Sequence, residues 1–141
     1  MTIETDQAVL RLSEAECWHL LGEAQMGRLA VAAEGEVDIF PLNFVVSAGA
    51  LYFRTAPGEK LVQIAVHPTV AFEIDGYTAD TAFSVVVKGV AERLERQSDI
   101  DEADLLPLSP WIPTLKYRWV RILPASVSGV SFRRGAEPDR Y

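Results

Sequence analysis

Between Arg28 and Thr55 the chain alternates short β-prone runs with turn signals, and that alternation confines it to a meander of hairpins. The runs cover 29–33, 37–47 and 51–55, joined by Glu34-Gly35-Glu36 and Ala48-Gly49. Pro41 inside the second run has no N–H for a ladder and so marks an edge or a bulge. Further on, 70–74 predicts a fourth strand that Asp75-Gly76-Tyr77 leaves, with a polar loop over 76–82. Residues 83–95 alternate late on, Val85, Val87, Val90 and Leu94 against Lys88, Glu92, Arg93 and Glu95, which predicts a long fifth strand with a bend or bulge at Gly89. Residues 117–122 and 126–132 supply a last strand or strand pair, interrupted by Pro124. Six or so strands with two or three short helices point to a small barrel, mainly β or α+β.

The helices carry their own start signals. Ser13 with Glu16 three residues on is a capping box, and Leu12 with Cys17 a hydrophobic staple. A helix to about Gln25 follows, with Trp18, Leu21 and Ala24 on one face and Gly27 ending the segment. Cys17 reads as a small buried hydrophobe, and His19, off the stripe, as solvent-facing. Leu61, Ile64 and Ala65 recur at helical spacing until Pro68, and the acidic run 98–105 reads as a short helix capped at Ser98. Pro107, Pro110 and Pro113 space a loop around Trp111.

The 141 residues make one domain, 1–141, with a loose arm over 1–10, in which Val9 and Leu10 are the residues able to pack, and a polar tail over 133–141. A net charge of −7 with scattered basic residues excludes a nucleic-acid surface, which needs clustered positive charge. The single cysteine rules out an intrachain disulfide and a thiolate metal site, His19 has no second clustered His, Asp or Glu, and the acidic run 98–105 lacks the glycine and terminal glutamate of a calcium loop. The N-terminus lacks the basic start and apolar run of a secretory signal, and no run is long enough for a bilayer, so the expected location is the cytoplasm.

One stretch gathers anion-binding devices. In Tyr52-Phe53-Arg54-Thr55-Ala56-Pro57-Gly58-Glu59-Lys60-Leu61 an arginine and a threonine end a strand, and Pro57 suits the first position of a helix. The amides of Gly58 and Glu59 then point out of a helix N-terminus, with Lys60 one turn inside. An Arg fork, a hydroxyl, exposed amides and a Lys suit a dianion such as a phosphomonoester. The plainer alternative is a Pro-Gly turn flanked by solvated charges.

The order and spacing of several short motifs resemble the pyridoxamine 5'-phosphate oxidase-like flavin-binding split barrel. They are Gly27-Arg28-Leu29-Ala30, Phe40-Pro41-Leu42-Asn43-Phe44, Leu51-Tyr52-Phe53-Arg54-Thr55, Gly58-Glu59-Lys60-Leu61, His67-Pro68-Thr69-Val70-Ala71-Phe72 and Phe83-Ser84-Val85-Val86-Val87-Lys88-Gly89. The resemblance implies a six-stranded antiparallel split barrel that dimerises with FMN at the subunit interface. By position, Arg54, Thr55 and Lys60 would hold the phosphate, the same cradle to which Gly58 lends its amide. Pro41, Leu42, Asn43 and Phe44 would run along the isoalloxazine, and Ser84 would also touch the cofactor. Many relatives carry Trp-Ser where this chain has Phe83-Ser84.

The activity so implied is a flavin-dependent oxidoreductase acting on a small molecule, in a homodimer. A deazaflavin on the same fold and a non-catalytic flavin-binding or sensing module are the alternatives. The flavin supplies the redox chemistry in such proteins, and no catalytic residue is assigned. Trp111, Trp119 and Phe132 read as core aromatics, or by resemblance as residues over the pocket or across the dimer. Nothing marks the substrate, and no clear counterpart exists for the basic residues with which pyridoxamine phosphate oxidases grip theirs.

Overall fold

The structure, a computed structural model, describes residues 9–58, 63–64, 66–111, 118–136 and 139. Its elements run β1 (Val9–Arg11), α1 (Glu14–Glu23), β2 (Met26–Ala33), β3 (Glu36–Asn43), β4 (Val45–Ser47), β5 (Ala50–Thr55), β6 (Thr69–Tyr77), β7 (Thr81–Arg93), α2 (Gln97–Ala103) and β8 (Arg118–Arg133). Gln63, Ile64 and Val66 are helical, and Ile64 is buried. Lys60 and Glu59, two of the five residues of the predicted cradle, lie outside the described residues.

All eight strands belong to one antiparallel sheet in the order β3-β2-β6-β7-β8-β5-β4, with β1 added to β8. The sheet curls until its two ends meet at a covalent corner: β3 stops at Asn43, Phe44 turns, and β4 starts at Val45. This is a split barrel. Its strand count exceeds the expected six because the 37–47 run breaks at Phe44 and because β1 forms. Val9 and Leu10, the two residues of the expected loose arm that could pack, do so as a strand, paired with Phe132 and Ser131. The cause is an edge: β5 leaves β8 at Ile122, so the far end of that strand needs another partner.

The hairpins are as predicted. Glu34 and Gly35 have φ of 51° and 84°, and Ala48 and Gly49 have 50° and 75°, the doubly positive geometry of two-residue hairpin turns. Pro41 sits on the edge strand β3, where its missing N–H costs no ladder bond. The bulge falls between Lys88 and Gly89, and Gly89 faces Pro124 across the ladder. A Cβ at Gly89 would collide with the Leu123 carbonyl, so the glycine makes room for the proline kink. For that reason Pro124 does not split the last strand, and β8 runs unbroken for 16 residues.

Inside the curl lie Phe53, Phe72, Leu29, Leu51, Ile74 and Ile122, among other fully buried side chains. Helix α1 closes one end with Cys17 and Leu21, while Trp18, Leu20 and Ala24 pack at its margin. The capping box is present in both directions: Ser13 Oγ accepts from the Glu16 N–H at 3.1 Å, and the Ser13 N–H donates to Glu16 Oε1 at 3.0 Å. Gly27 does not stop the helix as expected. It lies in β2 beneath the Phe72 ring, where a Cβ would not fit.

A second, smaller core forms outside the barrel wall, where Leu94, Ala103 and Trp119 are buried with Tyr52, Ile100, Leu106 and Leu108 against them. Helix α2 provides this cover. Its N-cap is Arg96, with no side-chain cap bond, and the expected cap Ser98 lies inside the first turn. Two other boundaries shift. β6 extends through Tyr77, which shortens the predicted polar loop to a turn held by Thr78 and Thr81. In the expected tail, Arg134 donates to the Thr78 carbonyl at 2.5 Å and its guanidinium lies 4.8 Å from the Tyr77 ring centre.

Candidate functional site

Strand alternation puts Leu51 and Phe53 inside the barrel, so Tyr52 and Arg54 face outward. Arg54 stands opposite Trp119 in the β5–β8 ladder, its guanidinium carbon 5.3 Å from the centre of the Trp119 ring. That ring is in turn anchored, because its indole N–H donates to Asp104 Oδ1 at 2.7 Å. The Arg54 Nε is buried and forms no hydrogen bond, and among the described residues no carboxylate pairs with this guanidinium. A buried donor left over is rare in native proteins and calls for an explanation. The neighbouring register pair, Thr55 and Arg118, sets a second arginine at the same strand end.

Thr55 is buried, and its hydroxyl donates to the Ala56 carbonyl at 3.3 Å. A hydroxyl has one proton, so an anion gains a bond from Thr55 only if that contact is given up. Gly58 is exposed beyond the strand end.

The run from Pro41 to Phe44 divides by the same alternation. Leu42 and Phe44 point into the core, where Phe44 meets the Phe72 ring edge-on at 4.8 Å. Pro41 is exposed and Asn43 half-buried. Asn43 bridges two segments: its amide donates to the Gln25 carbonyl at 3.0 Å, and its Oδ1 accepts from the Trp111 N–H at 2.8 Å. The Trp111 indole N–H reaches Gln25 Oε1 at 3.4 Å. One amide proton and one lone pair of Asn43 remain for a ligand. Val45, the residue after the Phe44 turn, pairs with Tyr52, two residues before Arg54 on β5. Arg54 on β5 and Asn43 at the end of β3 lie on strands that approach each other where the barrel is split.

Ser84 is elsewhere. It lies on the outer face of β7 opposite Val130 of β8, whereas Arg54 is opposite Trp119. From 119 to 130 is roughly 35 Å of strand length. Within one chain the strands that carry Arg54 and Asn43 approach each other, and Ser84 lies away from them on β7. Ser84 instead borders a cleft of about 600 Å³ shared with Arg11, Val86, Ser128 and Val130.

Between these two places the outer face carries an acidic pair on one arginine. Arg28 Nη1 donates to Glu73 Oε1 at 2.9 Å and to Asp75 Oδ2 at 3.2 Å. Burial, and then a hydrogen bond shared with Asp75, holds the Glu73 carboxyl above its ordinary range, while Arg28 pulls the other way. On the adjoining edge strand Val37 and Ile39 are 69% and 63% exposed, an apolar strip beside that polar cluster.

Sequence reasoning missed Asp104, Gln25 and the pairing of Arg28 with two carboxylates. Asp104 looked like part of a solvated acidic helix, and only the fold brings it to Trp119.

The curled sheet, with its cationic strand end beside an open corner, defines the class as the antiparallel split barrel. The family model described as pyridoxamine 5'-phosphate oxidase matches residues 13–131, and the chain belongs to that family. A protein of Mycobacterium smegmatis described as an FAD binding protein is similar in structure. It has 40% identity and a TM-score of 0.76, over 88% of this chain and 98% of that one. A FAD-binding protein from Mesorhizobium loti shows 29% identity and a TM-score of 0.72, over 87% and 97%. The uncharacterised protein Rv3129 of Mycobacterium tuberculosis is 40% identical over 68% of this chain and 87% of its own length.

Proposed function

We propose that the protein binds a flavin nucleotide at the barrel corner and acts as a flavin-dependent oxidoreductase on a small molecule, as a homodimer. The observation that carries this reading is Arg54, a cation at a strand end whose buried Nε has no partner, in a family with relatives described as FAD-binding. The residues fit such a group. Arg54 offers in-plane donors to a phosphate, and Pro41 and Asn43 offer a flat apolar contact and a free amide proton to a ring edge. A bound flavin supplies hydride-transfer chemistry, and this chain's residues anchor it, orient it and limit water around it.

Dimerisation is part of the same reading. Ser84, matched to a cofactor contact, is too far along β8 to serve the corner of its own chain. A second copy docked on the outer sheet face would bring its Ser84 to that corner and cover Val37 and Ile39.

FMN is the simplest occupant of a one-phosphate cradle. FAD is the second reading, favoured by the descriptions of the two relatives, and its pyrophosphate would meet the same arginine. Titration of the purified protein with FMN, FAD and a deazaflavin, followed by flavin fluorescence and visible absorption, separates them. Tight binding of the deazaflavin alone would overturn the flavin assignment. Reduction of the loaded protein by NADH or NADPH and discharge to quinones or nitro compounds tests turnover. A bound flavin that passes electrons to no acceptor would leave a binding module in place of an enzyme.

A further inference from the structure

We infer that Asp104 is a positioning residue for anion binding: it sets the Arg54 side chain through the Trp119 ring. The inference rests on the phosphate role proposed for Arg54.

An arginine at a phosphate site needs to be held still without its donors being consumed. A carboxylate partner would fix it but would occupy the fork that a phosphate needs. Here the guanidinium is held over an indole face instead, with its carbon 5.3 Å from the ring centre. The ring is 3% exposed, so the contact is shielded from water. It is also fixed in rotation, because the 2.7 Å bond to Asp104 ties its only polar atom to helix α2. A carboxylate accepting from the indole N–H pushes electron density toward the ring, which makes its face a better seat for a cation. Negative charge thus supports the arginine from behind the ring rather than from in front of it.

The packing gives the arrangement its rigidity. Ala103, next to Asp104, is buried with Leu94 and Trp119, and Ile100, Leu106 and Leu108 close the cluster. The Asp104 N–H itself donates to the Ile100 carbonyl at 2.9 Å, so the carboxylate projects from a fixed backbone. The acidic run 99–104 therefore has one member with a task distinct from solvation.

The experiment compares FMN, which carries the phosphate, with riboflavin, which lacks it, on wild type, Asp104→Ala, Asp104→Asn, Trp119→Phe and the Asp104→Ala/Trp119→Phe double variant. Asp104→Ala is expected to weaken FMN about tenfold and leave riboflavin unchanged, the size of one lost charge-assisted contact. Asp104→Asn, which keeps the acceptor but loses the charge, is expected to fall between wild type and Asp104→Ala for FMN. Trp119→Phe keeps an aromatic face without the N–H, and in that background Asp104→Ala has no further effect. Equal loss of both flavins in Asp104→Ala, or unchanged FMN affinity, overturns the inference. If Asp104→Ala does not fold, Trp119→Phe carries the test, and equal loss of both flavins there overturns it too. Wild type that binds neither flavin overturns the proposed function and this inference with it, whereas intact wild-type binding with a silent Asp104 overturns this inference alone.

Discussion

Arg54 and Ser84 face the same strand from opposite sides and at opposite ends, one across from Trp119 and the other across from Val130 of β8. No rotamer brings them together within a chain. If both serve one cofactor, every site takes its arginine from one copy and its serine from the other.

That arrangement predicts complementation. Arg54→Ala and a bulky Ser84→Trp variant should each bind FMN poorly, whereas a mixture unfolded and refolded together should recover about a quarter of the wild-type sites, because half the dimers are mixed and each keeps one intact corner. Flavin absorbance after gel filtration counts the sites. No recovery in the mixture, or a monomer at micromolar concentration, would remove the shared pocket.

Asn43 is expected to be a structural hinge as well as a ligand contact. Asn43→Ala deletes the bonds to the Gln25 carbonyl and the Trp111 N–H and should cost about 1–3 kcal/mol, read as a lower urea midpoint. Asn43→Asp, which keeps only the acceptor, should fall between the two.

Ala48 holds a φ of 50° that an alanine adopts only with strain. Ala48→Asn gives the turn its preferred Asn-Gly pair and should raise stability by about 0.5–1 kcal/mol. Thermal unfolding of the variant checks this, and a lowered midpoint would mean that the Cβ was packed rather than strained.

Glu73 should make the fold less stable as pH rises. Its folded-state value lies above the ordinary 4.5, through burial first and the bond shared with Asp75 second, so the native state holds the proton more tightly than the unfolded chain. The stability it contributes is complete below 4.5 and is lost as pH climbs through the raised value. Glu73→Gln cannot ionise and should flatten this slope in denaturant midpoints measured from pH 4 to 8. A slope unchanged by the substitution would assign it to other groups.

The parts of this fold that were legible in the sequence are those set by a local requirement. Gly35 and Gly49 mark positive φ, Ser13 and Glu16 mark a helix start, and Gly89 marks a bulge. Each states a backbone condition that few other residues satisfy. β1 was not legible, since Val9 and Leu10 pair only because β5 ends where it does. Nor was the inward turn of Leu42 and Phe44, which split a run expected to line one surface. Arg54 could be named from its strand end, whereas the bond from the Trp119 indole to Asp104 exists only once helix α2 folds back onto the strand that follows it.

β8 is the seam of the molecule: β7, β5 and β1 all pair with it, and it follows each of them along the chain. A ribosome therefore releases the other strands before the one that joins them exists. Until then three sets of backbone donors and acceptors must wait unpaired, open to neighbouring chains. Nascent protein should depend on holding chaperones until β8 emerges, and truncation anywhere within β8 should yield aggregates rather than a smaller barrel.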